Sequence, residues 1–161
     1  MKTVVSNTSP LRYLTCIGEH ELLHQLFERI FIPKAVYQEL THQNTPDIVR
    51  QLMLSPPGWI EIHEVEEPPT NTSLDHLDVG EKEAILLAEK MGADILLIDE
   101  KKGRLTATER GLTILGVLGL LELAYRQEKV DLQCAIDKLL QTNLKISPSL
   151  IQYILNRREQ Q

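Results

Sequence analysis

Apolar and polar positions along the chain follow two rhythms. Short apolar runs rich in β-branched residues, "VVS" at Val4–Ser6, "RIFIP" at 29–33 and "ADILLIDE" at 93–100, read as buried strands. "WIEIHEV" at 59–65 alternates instead, which predicts a strand with one exposed face, at an edge of a sheet. "LTILG" at 112–116 is a further short strand. Between these runs the period changes to 3.6. Helices are predicted over Pro10–Ile17, His20–Phe27, the "KAVYQEL" that follows Pro33, and Asp47–Leu54, which Pro56-Pro57-Gly58 stops. More follow over Gly80–Met91, closed by Gly92, then Gly103–Arg110, Val117–Gln127, Asp131–Leu140 and Pro148–Arg157. "EEPPTNTS" at 66–73 reads as a polar loop. Strands that alternate with helices predict an α/β fold whose parallel sheet is covered on both faces. At the first junction, "VVSNTSPL", Ser9 suits an N-cap and Pro10 the first helical position. Asn7, Thr8 and Ser9 then stand at the carboxyl end of a strand, where open α/β sheets bind ligands.

Several acids interrupt this pattern. In "PKAVYQEL", Ala35, Val36 and Leu40 form the apolar stripe, and Glu39 falls inside it. In "GEKEAILLAEKMG", Ala84, Ile85, Ala88 and Met91 form the buried face, and Glu81 lies one turn before them on the same face. Asp99 follows the apolar run Ile95–Ile98 at the end of a strand, as Asn7 follows the first strand. A buried carboxylate is expensive unless it is paired or binds a metal. Simpler roles exist for each: a solvent-facing stripe edge for Glu39, a capping box between Asp78 and Glu81, a turn for Asp99. Together these residues suggest one pocket above the sheet that holds a hard divalent cation through oxygen ligands.

Composition narrows the alternatives. A chain of 161 residues fits one domain, residues 1–161, with 128–161 as a C-terminal helical extension. With 42% hydrophobic residues it can bury a core without disulfides, and Cys16 and Cys134 read as small buried thiols. No signal peptide or span of about 20 apolar residues is visible, so a cytoplasmic protein without membrane contact is expected, in which the Asn7-Thr8-Ser9 and Asn71-Thr72-Ser73 triplets carry no glycan. A net charge of -6 argues against a broad basic face, though not against a nuclease that reaches phosphate through metal ions.

With these stretches in hand, the chain resembles the PIN-domain family. "VVSNTSPL", "IPKAVYQEL", "LDVGEKEAILLA" and "ILLIDE" carry the resemblance by their order and spacing, over roughly residues 3–125. The resemblance implies a three-layer α/β/α sandwich with a central parallel sheet. It also implies Mg²⁺- or Mn²⁺-dependent ribonuclease activity, often as the toxin of a toxin–antitoxin pair with an antitoxin protein as partner. The metal ligands would be Asn7, Glu39, Glu81 and Asp99, with Asp78 nearby; Glu39, Glu81 and Asp99 would be the catalytic acids. Ser9, with Thr8 beside it, would support the first ligand. The family's first acid is usually aspartate, and Asn7 brings an amide oxygen without its charge. A catalytically weak PIN-like module that binds RNA or a protein is the alternative reading.

Lys101, Lys102 and Arg104 could meet the phosphates of single-stranded RNA or form a solvated helix start. "HELLH" at 20–24 matches the zinc-protease pattern, but His20 and His24 lie on the polar flank of their helix, which makes it a chance match. The apolar helices "VLGLLELAY" and "SLIQYILNRR" suggest a face for a homodimer.

Overall fold

The computed structural model describes residues 2–66 and 72–158. Its centre is a five-stranded, all-parallel sheet in the order β3-β2-β1-β4-β5. The strands are β1 (Val4–Ser6), β2 (Ile30–Pro33), β3 (Ile60–His63), β4 (Ile95–Leu97) and β5 (Ile114–Leu115). The alternating "WIEIHEV" run is an edge strand, as its pattern predicts. In β4, Ile95 and Leu97 enter one apolar cluster and Leu96 and Ile98 the other, while Val4 and Val5 divide in the same way. A strand buried on both faces has no position left for a polar residue, hence the unbroken apolar run.

Helices cover both faces, giving the α/β/α sandwich. On one side lie α1 (Thr8–Cys16), α2 (Glu21–Phe27), α3 (Lys34–Leu40), α4 (Asp47–Leu54), α7 (Val117–Arg126) and α8 (Leu132–Leu139). Leu14, Leu23, Val36, Met53, Leu121 and Ile136, one from each, are at most 1% exposed. On the other side, α5 (Val79–Met91) and α6 (Lys101–Glu109) close over Val5, Leu96 and Ile98. The last helix, α9 (Pro148–Arg158), buries Ile154 in the first cluster.

Several expectations need correction. The first helix begins at Thr8 with Asn7 as its N-cap, so Ser9 and Pro10 are its second and third residues. Lys101 opens α6 two residues earlier than expected, because Glu100 already has extended backbone and takes the capping position. In α7, Val117, Leu120, Leu121 and Ala124 are buried within the chain, so its apolar stripe is core and not a free dimer face. Cys16 is half-buried and Cys134 exposed. The 66–73 loop lies largely outside the described residues; its end forms a 3-10 turn at Thr72–Leu74. Among the described residues no helix is long and apolar enough to cross a membrane.

The chain runs outward from β1 through β2 to β3, then returns to lay β4 on the other side of β1. The carboxyl ends of β1 and β4 therefore flank the switch point of the sheet, where connections diverge to opposite sides and leave a crevice.

Candidate functional site

Asn7 sits at that crevice. Its backbone N–H donates to the Leu97 carbonyl at 2.8 Å, extending the pairing of β1 with β4 by one bond. Its side chain is buried, 3% exposed, and does not cap α1. Asn7 Oδ1 accepts no hydrogen bond from any described residue. A buried acceptor left without a donor costs about 1–3 kcal/mol, so its retention points to a partner the polypeptide does not supply.

Two carboxylates meet this oxygen at Gly80, the second residue of α5. A Cβ on Gly80 would stand 2.9 Å from Glu39 Oε2, 3.6 Å from Asn7 Oδ1 and 3.6 Å from Asp78 Oδ1. Three oxygens from three segments thus surround a space that only glycine leaves open. Thr8 Oγ1 donates to Glu39 Oε2 at 2.6 Å and holds the tip of that side chain against α1. Glu39 itself is exposed: it lies on the edge of the stripe, on the side of the half-buried Ala35, while Val36 and Leu40 hold the buried centre. The same residues line a concavity of about 170 Å³ that also takes in Ser9, Arg12 and Glu100. Arg12 Nε is buried and donates to no described residue.

Asp78 and Glu81 form the capping box. Asp78 Oδ1 accepts from the Glu81 N–H at 2.8 Å, and Glu81 Oε2 accepts from the Asp78 N–H at 3.3 Å. Glu81 is 7% exposed, on the inward face as its position in the stripe implies. Burial pushes its carboxyl up to about 7. The Asp78, Glu100 and Glu39 carboxylates add to that rise, and the Asp78 N–H opposes it.

Asp99 departs from the expected convergence. Its Oδ1 accepts from the Val117 N–H at 3.0 Å, at the first residue of α7, so the side chain is turned toward that helix start. Its Oδ2 is buried with no hydrogen-bond partner. Burial raises its pKa, while the Val117 N–H and the Arg104 guanidinium hold the rise back. Asp99 lines a neighbouring cavity and not the concavity around Asn7. The acid that faces that concavity from this strand is Glu100.

Among the described residues no three histidine, cysteine, aspartate or glutamate side chains form a ready metal cluster. The grouping at Gly80 is mixed, two carboxylates and an amide. An all-oxygen set with one orphaned acceptor fits a hard cation such as Mg²⁺ or Mn²⁺ and would not suit a soft one.

Sequence reading missed Glu100 and Arg12. Glu100 is adjacent to Asp99, and Arg12 is one helical turn after Thr8; the second spacing was a usable signal. Lys101, Lys102 and Arg104 are exposed in the first turn of α6. At "HELLH", His24 is exposed, stacks on Trp59 at 5.7 Å and places Nδ1 2.7 Å from the Glu28 carbonyl. Glu28 and Trp59 precede β2 and β3, so this motif lies at the amino end of the sheet, away from Asn7.

No curated protein matches the chain. A family model described as a PIN domain matches residues 3–160, nearly all of it, including the C-terminal helices. The five-stranded all-parallel sheet and its α/β/α layering agree with that match. The chain belongs to the PIN-domain family.

Proposed function

We propose that this protein is a Mg²⁺- or Mn²⁺-dependent endoribonuclease that hydrolyses single-stranded RNA, leaving a 5′-phosphate and a 3′-hydroxyl. PIN domains have a nuclease-type fold and generally use divalent metals and bind RNA. The observation that carries the reading for this chain is the orphaned Asn7 Oδ1 facing Glu39 and Asp78 around Gly80.

Asn7, Glu39 and Asp78 would hold the ion, with Glu81 beneath them. Such an ion supplies a water of lowered pKa and offsets the charge of the phosphodiester. Thr8 fixes the Glu39 carboxylate in place. Arg12 brings the cation of the concavity to a phosphate oxygen, and Lys101 and Lys102 meet the strand further along. Glu81 joins the site through its reciprocal hydrogen bonds with Asp78. Asp99 enters as a second acid if its side chain swings from Val117 toward β1. A role as the toxin of a toxin–antitoxin pair, acting in the cytoplasm and restrained by an antitoxin protein, is part of the proposal.

The test is cleavage of a 5′-labelled single-stranded RNA in Mn²⁺ against EDTA, for wild type and Glu39→Gln. Cleavage that requires Mn²⁺ and falls at least about a hundredfold in the variant supports the reading. Activity that persists in EDTA overturns it. Asn7 and the turned Asp99 favour one second reading, a module that binds RNA and cuts weakly; it predicts RNA binding with no metal-dependent product.

A further inference from the structure

The carboxyl edge of the sheet is polarised in charge. On the β2–β3 side of the switch point, Glu64, Glu66 and Glu83 stand around Lys34, whose Nζ already lies 3.1 Å from Glu64. On the β4–β5 side, Lys101, Lys102 and Arg104 of α6 and Lys145 before α9 are exposed, and none forms an ion pair among the described residues. The acids of this side are paired or turned inward. Glu122 lies 3.7 Å from Arg126 and 3.6 Å from Arg157, and its other oxygen is buried. Asp99 accepts from the Val117 N–H and buries its second oxygen.

Lys145 belongs to a link that joins this side to the metal cluster. Between α8 and α9 burial alternates: Leu144 and Ile146 pack on the core, while Asn143, Lys145 and Ser147 face solvent. Asn143 Oδ1 accepts from the Tyr13 hydroxyl at 2.7 Å, and Tyr13 lines the Asn7 concavity. Two residues on, Lys145 lines the neighbouring cavity of about 340 Å³ together with Arg104 and Asp99. A Cβ on Gly116 would stand 2.8 Å from both Arg104 Nη1 and Asp99 Oδ1, so that acid offsets part of the guanidinium charge. The Lys145 ammonium group keeps its whole charge.

We propose that the link at 143–147 is the far bank of the RNA path, and that Lys145 holds a backbone phosphate there. A strand lying over Asn7 can leave the concavity in two directions. Toward β3 it meets carboxylates whose cation is already paired. Toward β5 it meets unpaired ammonium groups, and a polyanion follows them. Lysine is a point charge on a flexible stem, suited to a phosphate and indifferent to the base beside it. The Tyr13–Asn143 bond fixes the link against α1, so it positions Lys145 relative to the cluster. The proposal rests on the ribonuclease reading for its substrate, and binding alone tests it.

The experiment is fluorescence anisotropy of a labelled single-stranded oligoribonucleotide with the whole chain, in EDTA, from about 50 to about 200 mM KCl. Lys145→Ala removes one phosphate contact from an exposed position that the fold does not need. It should weaken binding about fivefold at about 0.1 M salt, and lower the slope of log affinity on log salt by about 0.7. Lys34→Ala removes the same charge from the opposite flank and should change neither. Tyr13→Phe removes only the hydroxyl; it should weaken binding less than Lys145→Ala, and the double variant should bind like Lys145→Ala. Unchanged affinity and slope in Lys145→Ala overturn the proposal. So does a loss in Lys34→Ala, which would turn the strand toward β3, or a wild type that does not bind the RNA. Additive losses in the double variant overturn the positioning role of Tyr13. The two readings fail separately. Lys145-dependent binding without Mn²⁺-dependent cleavage keeps the path and removes the nuclease. Mn²⁺-dependent cleavage with an unchanged slope in Lys145→Ala keeps the nuclease and removes the path.

Discussion

Asn7 is the residue on which the metal reading turns. Asn7→Asp changes one atom and adds a charge facing Glu39 and Asp78. With a cation present, Mn²⁺ should bind more tightly by about 1–2 kcal/mol at partly screened distances, seen by calorimetry. Without it, the variant should melt at a lower temperature, since three carboxylates now repel one another. Unchanged Mn²⁺ affinity would show that position 7 touches no ion. Gly80→Ala is the complementary change. The helix tolerates alanine, and the only contact under 3.0 Å is Glu39 Oε2, the end of an exposed side chain that can turn aside by giving up its bond from Thr8. The melting temperature should hold while Mn²⁺ affinity is lost, because the methyl group occupies the space between the oxygens. Retained affinity would place the ion elsewhere. At this scale the sequence was partly legible. Glu81 betrays itself by sitting in the centre of an apolar stripe, and it is buried there. Glu39 lies at the edge of its stripe, where a long side chain can carry its head to solvent. Asp99 stands two residues beyond Leu97, the last residue of β4, and beyond a strand no alternation decides which way a side chain turns; here the Val117 N–H decides it.

Among the elements, α5 joins folding to the site through one residue. Asp78 both caps the helix and faces Asn7. Asp78→Ala should lower stability by about 1 kcal/mol through loss of the cap and also weaken Mn²⁺ binding. Asp78→Asn keeps an acceptor for the Glu81 N–H, so denaturant melts should stay near wild type while Mn²⁺ affinity falls. Equal losses in both measurements for both variants would mean that Asp78 is a cap and nothing more. The elements themselves were legible wherever the apolar period was long. Continuous runs marked strands covered twice, and the alternating run marked the edge. Starts were misplaced where capping was shared: Asn7 and Glu100 adopt extended backbone before α1 and α6, ahead of the proline and glycine that seemed to mark the first turns. The dimer face assigned to "VLGLLELAY" failed for another reason. An apolar stripe reports that a surface is covered and is silent on what covers it; here β-sheet and α8 do.

For the whole molecule, acid clustering sets the response to pH. In the metal-free fold Glu81 titrates at about 7, above its ordinary range. A carboxyl whose pKa is raised by folding favours the native state when protonated. Its penalty is absent below the unfolded value near 4.5, grows as pH rises, and is complete above about 7. Asp99, raised as well, acts in the same direction. Thermal melts in EDTA should therefore fall in midpoint between about pH 5 and pH 8. Saturating Mn²⁺ should abolish or reverse that fall, since the ion favours the ionised carboxylates. A midpoint in EDTA that climbs across this range would show that neither acid is desolvated as described.

The order of strands has a consequence for the chain as it is made. β1 comes first of the five strands along the chain and is the middle strand of the finished sheet, paired on one side with β2 and on the other with β4. The Asn7 N–H finds its partner only when Leu97 has been added. Until then a nascent chain holds Asn7, Glu39 and, later, Gly80, but lacks the second wall of the crevice. Every product of translation that stops short of β4 therefore lacks the crevice, and whatever is bound there is bound only after β4 has been laid beside β1.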